Sequence, residues 1–362
     1  MQTMIDDVRA LRDEIRAAAV DADRNRAVPE AIVDRLRGLG VFRMTPPRAA
    51  GGFGLGPGAL VRVSEELGYA DGSTGWVSMI GAATGISLGY LEPGVAQEML
   101  ADPRFLIAGV AAPMGTADPV DGGYRVTGRW PFASGCRHAT WLVGGCRVTG
   151  ERPGMRMMIM PAADVRVHGD TWDTAGLRGS GSHDIEAADL YVPAGRSFSL
   201  AGPSPLGFPA LAMLSLGIGA VALGIARAAI EEFTEVAMAK RIPALGQRVA
   251  GRGWARAAVA RAEALRGSAL AYLLSQVDET DATDPASVAR MRLAVATATS
   301  HAAQAVDLMY ESAGGTSVYS RSPLQRHLRD VHAATQHAMV GPEVRDAIGA
   351  VLMGESSEHV IL

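Results

Sequence analysis

The chain predicts an α+β protein, with a helical N-terminal domain over residues 1–103, a middle antiparallel β domain over 104–198 and a C-terminal four-helix bundle over 199–362. Two changes of period carry that prediction. Apolar residues recur at helical spacing up to about Leu100. From Phe105 to about Val192 they give way to short runs with β-branched residues and tight turns, and helical spacing returns after Pro209. With 362 residues, the chain can also bury a large core spread over two or three domains.

In the N-terminal part, Leu11, Ile15 and Ala18 form one helical stripe, Ile32, Leu36 and Leu39 a second, and Leu60, Val63 and Leu67 a third. Between the last two, Gly51-Gly52-Phe53-Gly54-Leu55-Gly56-Pro57-Gly58 lacks the G-x-G-x-x-G order and follows no strand, so it reads as a surface loop and not a phosphate cradle. In the middle part, the turn Asp121-Gly122-Gly123 precedes a strand from Tyr124, and further strands start near Trp141 and Met157. In the last part, small-residue faces such as Ala257-Ala258 and Ala294 to Ala298 suit closely packed antiparallel helices. Leu211 to Ile225 is wholly apolar or small, and its length approaches that of a membrane span. Pro205, Pro209 and the amphipathic continuation through Arg227, Glu231 and Glu232 make it instead a buried helix of a soluble bundle.

Lys and Arg (34) nearly match Asp and Glu (38), so no basic excess argues for nucleic acid or a membrane as partner. Cys136 and Cys146 lack metal-site spacing, and the N-terminus lacks the apolar segment of a signal peptide. A reduced, cytoplasmic protein without a metal is expected.

Four words resemble known families. The stretch Gly314-Gly315 … Arg321-Ser322-Pro323 … Arg329-Asp330 is similar to the C-terminal signature of acyl-CoA dehydrogenases. That family carries a catalytic Glu where this chain has Arg321, and a guanidinium cannot act as general base. Trp130-Pro131-Phe132-Ala133-Ser134-Gly135, with His138 and Trp141 downstream, resembles the flavin-dependent monooxygenases built on the same fold. The stretch also resembles the dehydrogenase strand whose hydroxyl residue bonds the flavin's reactive ring nitrogen, which implies a catalytic and cofactor-binding role for Ser134; from the residues alone it is a Ser-Gly turn. Trp172-Asp173-Thr174-Ala175-Gly176-Leu177-Arg178-Gly179-Ser180-Gly181-Ser182-His183-Asp184 is closer to the monooxygenases than to the dehydrogenases. By that resemblance Trp172 lies against the flavin ring, and Arg178, Ser180 and Ser182 contribute to the cofactor site, with turn fixing as the other reading for Arg178 and Ser180.

The fourth word is a helix expected from Pro323 to about Val340. His327, His332 and His337 are spaced by five, which spreads them round the helix and argues against a shared metal. Asp330 and His337 share a face cleared by Ala333 and Ala334, leaving room for a ligand. The resemblance makes His337 the catalytic residue at the flavin edge where dioxygen reacts; a lone helical His is otherwise structural.

Two departures refine this. No Arg-Phe … Gln pattern for an adenine half is found around Arg241, and Trp254 falls near the expected Gln, which favours reduced FMN, with FAD as the alternative. The helix after Trp76 lacks the His that some phenol hydroxylases place there. The resemblance therefore implies a two-component, flavin-dependent monooxygenase. It would take reduced flavin from a separate reductase, use dioxygen on a small aromatic or polyketide-like substrate, and form a homotetramer. The alternatives are an acyl-CoA dehydrogenase with a relocated base and a silent homologue acting as an assembly partner.

Overall fold

The computed structural model describes residues 1–150, 153–200, 207–208, 210–242 and 246–355. Pro205 and Pro209, and residues 243–245 of the stretch after Arg241, lie outside these. The chain falls into two compact units, one of Met1–Leu60, Trp76–Thr174 and Arg178–Leu214, the other of Val61–Gly75, Ala175–Leu177 and Ser215–Leu362.

The first unit opens with α1 (Gln2–Ala10), α2 (Arg12–Asn25) and α3 (Glu30–Gly38). The buried stripe of the first two helices runs Val8, Leu11, Ile15, Ala19 and Ala22, because the i+4 step from Ile15 lands on Ala19; Ala18 is only half-buried. Next come α4 (Pro57–Ala70) and α5 (Gly72–Thr84), whose residues 61–75 belong to the second unit, and then α6 (Pro93–Ala101). The strands β1 (Ile107–Val120), β2 (Gly123–Trp130), β3 (Trp141–Val148), β4 (Gly154–Pro161), β5 (Arg166–His168), β6 (Asp184–Pro193) and β7 (Ser197–Phe198) form one sheet in the order β5-β6-β2-β1-β3-β4-β7. The sheet is mixed rather than antiparallel throughout: β1 and β3 run parallel, with register shifts around Pro113, while the other pairs are antiparallel. Pro113 cannot donate to the ladder, which accounts for the irregularity there.

Trp130, at the end of β2, is fully buried, and its indole Nε1–H donates to the Gly145 carbonyl at 2.8 Å. A Cβ on Gly115, Gly128 or Gly144 would lie 2.3, 2.8 or 2.7 Å from that ring. Glycines on three strands thus vacate the volume that one indole fills.

The second unit holds α7 (Ala210–Ala239) from Ser215 onward, α8 (Gly253–Glu279), α9 (Pro285–Ala313), α10 (Pro323–Thr335) and α11 (Pro342–Leu352). Helix α9 is central, since α8, α10 and α11 all pack on it. It starts sharply because the Asp284 carboxylate accepts from the Ala286 and Ser287 N–H groups and Pro285 occupies the first turn. Where α4 meets α7, a Cβ on Gly224 would sit 2.3 Å from the Glu65 carbonyl oxygen, so the two backbones touch directly. Among the described residues, one helix, Leu211–Ala239, is long and apolar enough to cross a membrane, and 89% of its most apolar window is buried in the protein.

Candidate functional site

The first unit brings Ser134, Ser180 and Ser182 together. After Trp130 the chain turns through Phe132 at φ +64° and Gly135 at φ +73°. A left-handed non-glycine residue costs on the order of 1–3 kcal/mol and persists only where its surroundings hold it. Here the surroundings are the 180–183 loop: Ala133 N–H donates to the His183 carbonyl at 3.1 Å, and Gly135 N–H to the Ser180 carbonyl at 3.0 Å. Inside this zip, the buried Ser134 Oγ accepts from the Trp76 indole N–H at 3.0 Å. It also lies 2.8 Å from Ser182 Oγ, which is in turn 2.8 Å from Ser180 Oγ. The indole donates to Ser134, and in each serine pair either hydroxyl can be the donor; where Ser182 donates to Ser134, the Ser134 hydrogen is left for an outside acceptor. Trp76, in contact with the candidate hydroxyl, carries no role in the sequence reading. An indole that serves a hydroxyl 58 residues away leaves no local pattern.

Trp172 is half-buried and meets the exposed Phe132 edge-on, the rings 6.1 Å apart at 83°. Arg178 behaves differently from the serines. Its Nη1 donates to the Thr174 carbonyl at 2.7 Å and its Nε to the Asp23 carbonyl at 3.2 Å, with Asp173 3.4 Å from Nη1. Those contacts tie α2 to the loop, the work of a turn-fixing residue. His183 lies in the same stretch as Trp172 and Arg178. It is fully buried, and its Nδ1 accepts the Trp172 N–H at 3.2 Å. Both cysteines are buried free thiols, and burial pushes Cys136 up to about 11 and Cys146 up to about 12.

In the second unit, α10 stops at Thr335, short of the expected Val340. His337 is therefore not on that helix. It sits in extended conformation (φ −67°, ψ 134°) as the cap of the short 3-10 turn Ala338–Val340, and its Nδ1 accepts the Met339 N–H at 3.1 Å. That bond places the proton of the neutral ring on Nε2. Burial, and then the nearby Arg292 cation, lower its pKa to about 4. At neutral pH His337 is thus a neutral N–H donor, not the group titrating near neutrality that a free imidazole would be.

The face expected to stay open beside Asp330 is filled. Residues 175–177 lie against α10: Asp330 Oδ1 accepts the Leu177 N–H at 2.7 Å, and Arg329 Nη1 donates to the Ala175 carbonyl. A Cβ on Gly176 would fall 2.0 Å from the Arg329 carbonyl oxygen. Burial, and after it the Asp71 charge, raise the Asp330 pKa to about 7. His332 Nε2 pairs with Asp307 at 2.8 Å on the surface, and His327 is buried. Arg321 is exposed, with its guanidinium 4.2 Å from the Tyr319 ring centroid.

Helices, a central sheet and a second set of helices in this order make the acyl-CoA dehydrogenase fold. Family models for the acyl-CoA dehydrogenase N-terminal domain and C-terminal domain match residues 2–94 and 216–342. An indole-3-acetate monooxygenase of Pseudomonas putida is 32% identical over 96% of this chain and 93% of its own length. The oxygenase subunit HsaA of a flavin-dependent monooxygenase from Rhodococcus jostii (strain RHA1) is 30% identical over 92% of this chain and 94% of its own length. The crystal structure of 3-HSA hydroxylase from Rhodococcus sp. RHA1 matches with a TM-score of 0.92 at 27% identity, covering 99% of both chains. The chain belongs to the flavin-dependent monooxygenases of the acyl-CoA dehydrogenase family.

Proposed function

We propose that this chain is the oxygenase component of a two-component system. It would accept reduced flavin, FMN by the departures around Arg241, from a separate reductase and insert one oxygen atom of dioxygen into a small aromatic molecule. The observation that carries this is the hydroxyl relay ending at Ser134 beside the Phe132–Trp172 ring pair: a hydroxyl next to apolar aromatic surface suits a flat heteroaromatic cofactor. The aromatic class and the reductase follow the relatives, one named for indole-3-acetate and one called an oxygenase subunit. A homotetramer is part of the proposal.

Bound reduced flavin supplies the two electrons with which dioxygen is activated. Ser134 would hold the cofactor through its hydroxyl, with Ser182 behind it able to donate or accept. Trp172 would pack the ring, and Arg178 would keep the loop in shape. His337 would give its Nε2–H to an oxygen atom as negative charge develops there, a service that neutral imidazole performs without itself losing a proton. No carboxylate stands at Arg321, so removal of a proton beside a thioester carbonyl has no agent there.

The test mixes the protein anaerobically with reduced FMN or FAD, then adds dioxygen and a panel of aromatic compounds. Oxygenated product is expected, and homotetramers are expected by light scattering. Without added reductant, acyl-CoA thioesters should leave bound oxidised flavin yellow. Bleaching by any acyl-CoA would reinstate the dehydrogenase reading.

A further inference from the structure

We infer that Arg292 is a positioning residue for His337: from α9 it holds the turn Ala338–Val340, and through that turn it keeps the proton of the imidazole on Nε2. The inference rests on the role proposed for His337 and names the group that fixes that ring.

Arg292 is 3% exposed, and the residues one helical turn away on α9, Val288, Ala289, Val295 and Ala296, are all apolar and buried. A guanidinium is costly to bury among such side chains. Burial lowers its pKa to about 10, which still leaves it a cation at neutral pH. Packing alone would be served as well by an unbranched apolar side chain. The guanidinium does more than pack: its Nη2 donates to the Met339 carbonyl at 3.2 Å, a bond that joins α9 to the turn following α10.

Met339 is thereby engaged through both of its polar backbone groups. Its carbonyl accepts from Arg292, and its N–H donates to His337 Nδ1 at 3.1 Å. The turn is closed by the N–H of the buried Val340, which donates to the His337 carbonyl at 3.0 Å. A residue held at both ends cannot swing its N–H away from the ring, so Nδ1 stays an acceptor and the proton of the neutral imidazole stays on Nε2. The same cation also stands near enough, after burial, to disfavour a second proton on the ring.

Two substitutions test the link. Arg292→Met fills a similar volume without donor or charge, and loss of a buried cation to an apolar side chain commonly leaves a fold intact. Arg292→Lys supplies an N–H donor and a charge again. Nitrogen NMR shifts of histidine-labelled protein, free of flavin, report which ring nitrogen carries the proton, and the signals missing from His337→Ala assign the ring. The wild type should show His337 in the Nε2–H form, Arg292→Met should add the Nδ1–H form, and Arg292→Lys should restore the wild-type pattern. Mixed with reduced FMN and dioxygen, Arg292→Met should release hydrogen peroxide about tenfold faster, the effect of one lost hydrogen bond to a cation. Its dissociation constant for reduced FMN should not change, and Arg292→Lys should recover most of the rate. An unchanged tautomer in Arg292→Met overturns the inference, as does a faster release that Arg292→Lys leaves uncorrected, which would mark a packing effect. His337→Ala run alongside separates the failures. If it speeds release while the Arg292→Met tautomer holds, only the role of Arg292 falls. If the tautomer shifts but release changes in neither variant, the positioning stands and the role of His337 at the flavin falls.

Discussion

The Ser134 turn and the His337 cap hold polar side chains by opposite means. Around Ser134, every partner of the hydroxyl except Trp76 is another hydroxyl, and hydroxyls rotate. The Ser134–Ser182 bond can run either way, so Ser134 can be donor or acceptor as its ligand requires. His337 has no such freedom, because a backbone N–H occupies Nδ1 and leaves Nε2 as a donor only. A group that must follow a cofactor through changes of protonation gains from reversibility. A group that must stabilise one charge distribution gains from a fixed role, since nothing has to reorient during reaction.

The largest effect that could break this contrast is in His337→Ala. Loss of one preorganised donor costs about 10²-fold in rate, so oxygenated product should fall by that order while dioxygen is still consumed and hydrogen peroxide released. His332→Ala, on the surface pair with Asp307, should stay coupled; the buried His327 makes a poorer control. Coupling in the wild type should be flat with pH from about 6 to 9, since the ring protonates only near 4. Product analysis paired with stopped-flow reoxidation decides it, and a midpoint near 6.5 would show that His337 works as an acid–base group after all.

A middle-sized effect is expected in the turn. Ser134→Ala should weaken flavin by up to about tenfold, the worth of one hydroxyl hydrogen bond. Ser182→Ala should weaken it less, because Ser134 keeps the Trp76 contact. Equal losses in the two would mean that the relay acts as a rigid unit, against the reversibility argued above.

The smallest effect is on stability. In the folded chain Asp330 titrates near 7, whereas an ordinary Asp does so at 3.8. Between those values the folded state holds the extra proton, so the stability this group contributes declines as pH rises from about 4 to 7 and is level above. Asp330→Asn keeps an acceptor for the Leu177 N–H and has no charge to bury. Its melting temperature should gain on the wild type across that window and run parallel to it from pH 7 upward. A gap that does not change with pH would mean that Asp330 is ionised in the fold throughout.

The sequence foretold these regions unequally. Element order and the α/β/α changes of period were legible because amphipathic spacing is local; Leu60, Val63 and Leu67 are all buried as their spacing requires. Ser134 and Ser182 lie in two separate words, and the resemblance assigned both to the cofactor site; that their hydroxyls meet left no trace in either word. The parallel β1–β3 pair was not legible, since strand direction depends on the crossover between strands and not on either strand's alternation. The end of α10 at Thr335 was missed because no Gly or Pro follows until Gly341. Trp76 acts through a partner 58 residues away and His183 through one 11 residues away, and neither leaves a spacing.

Trp130 bears on how the enzyme would cycle. An oxygenase that borrows its flavin begins each turnover without it, so no bound cofactor is present to mould the site. The indole, wedged among Gly115, Gly128 and Gly144, anchors the strand that leads into Phe132 and Ser134. The shape of the turn is thereby settled when the chain folds and persists between visits of the flavin. Any side chain larger than hydrogen at those three glycines would loosen the berth before it touched the guest.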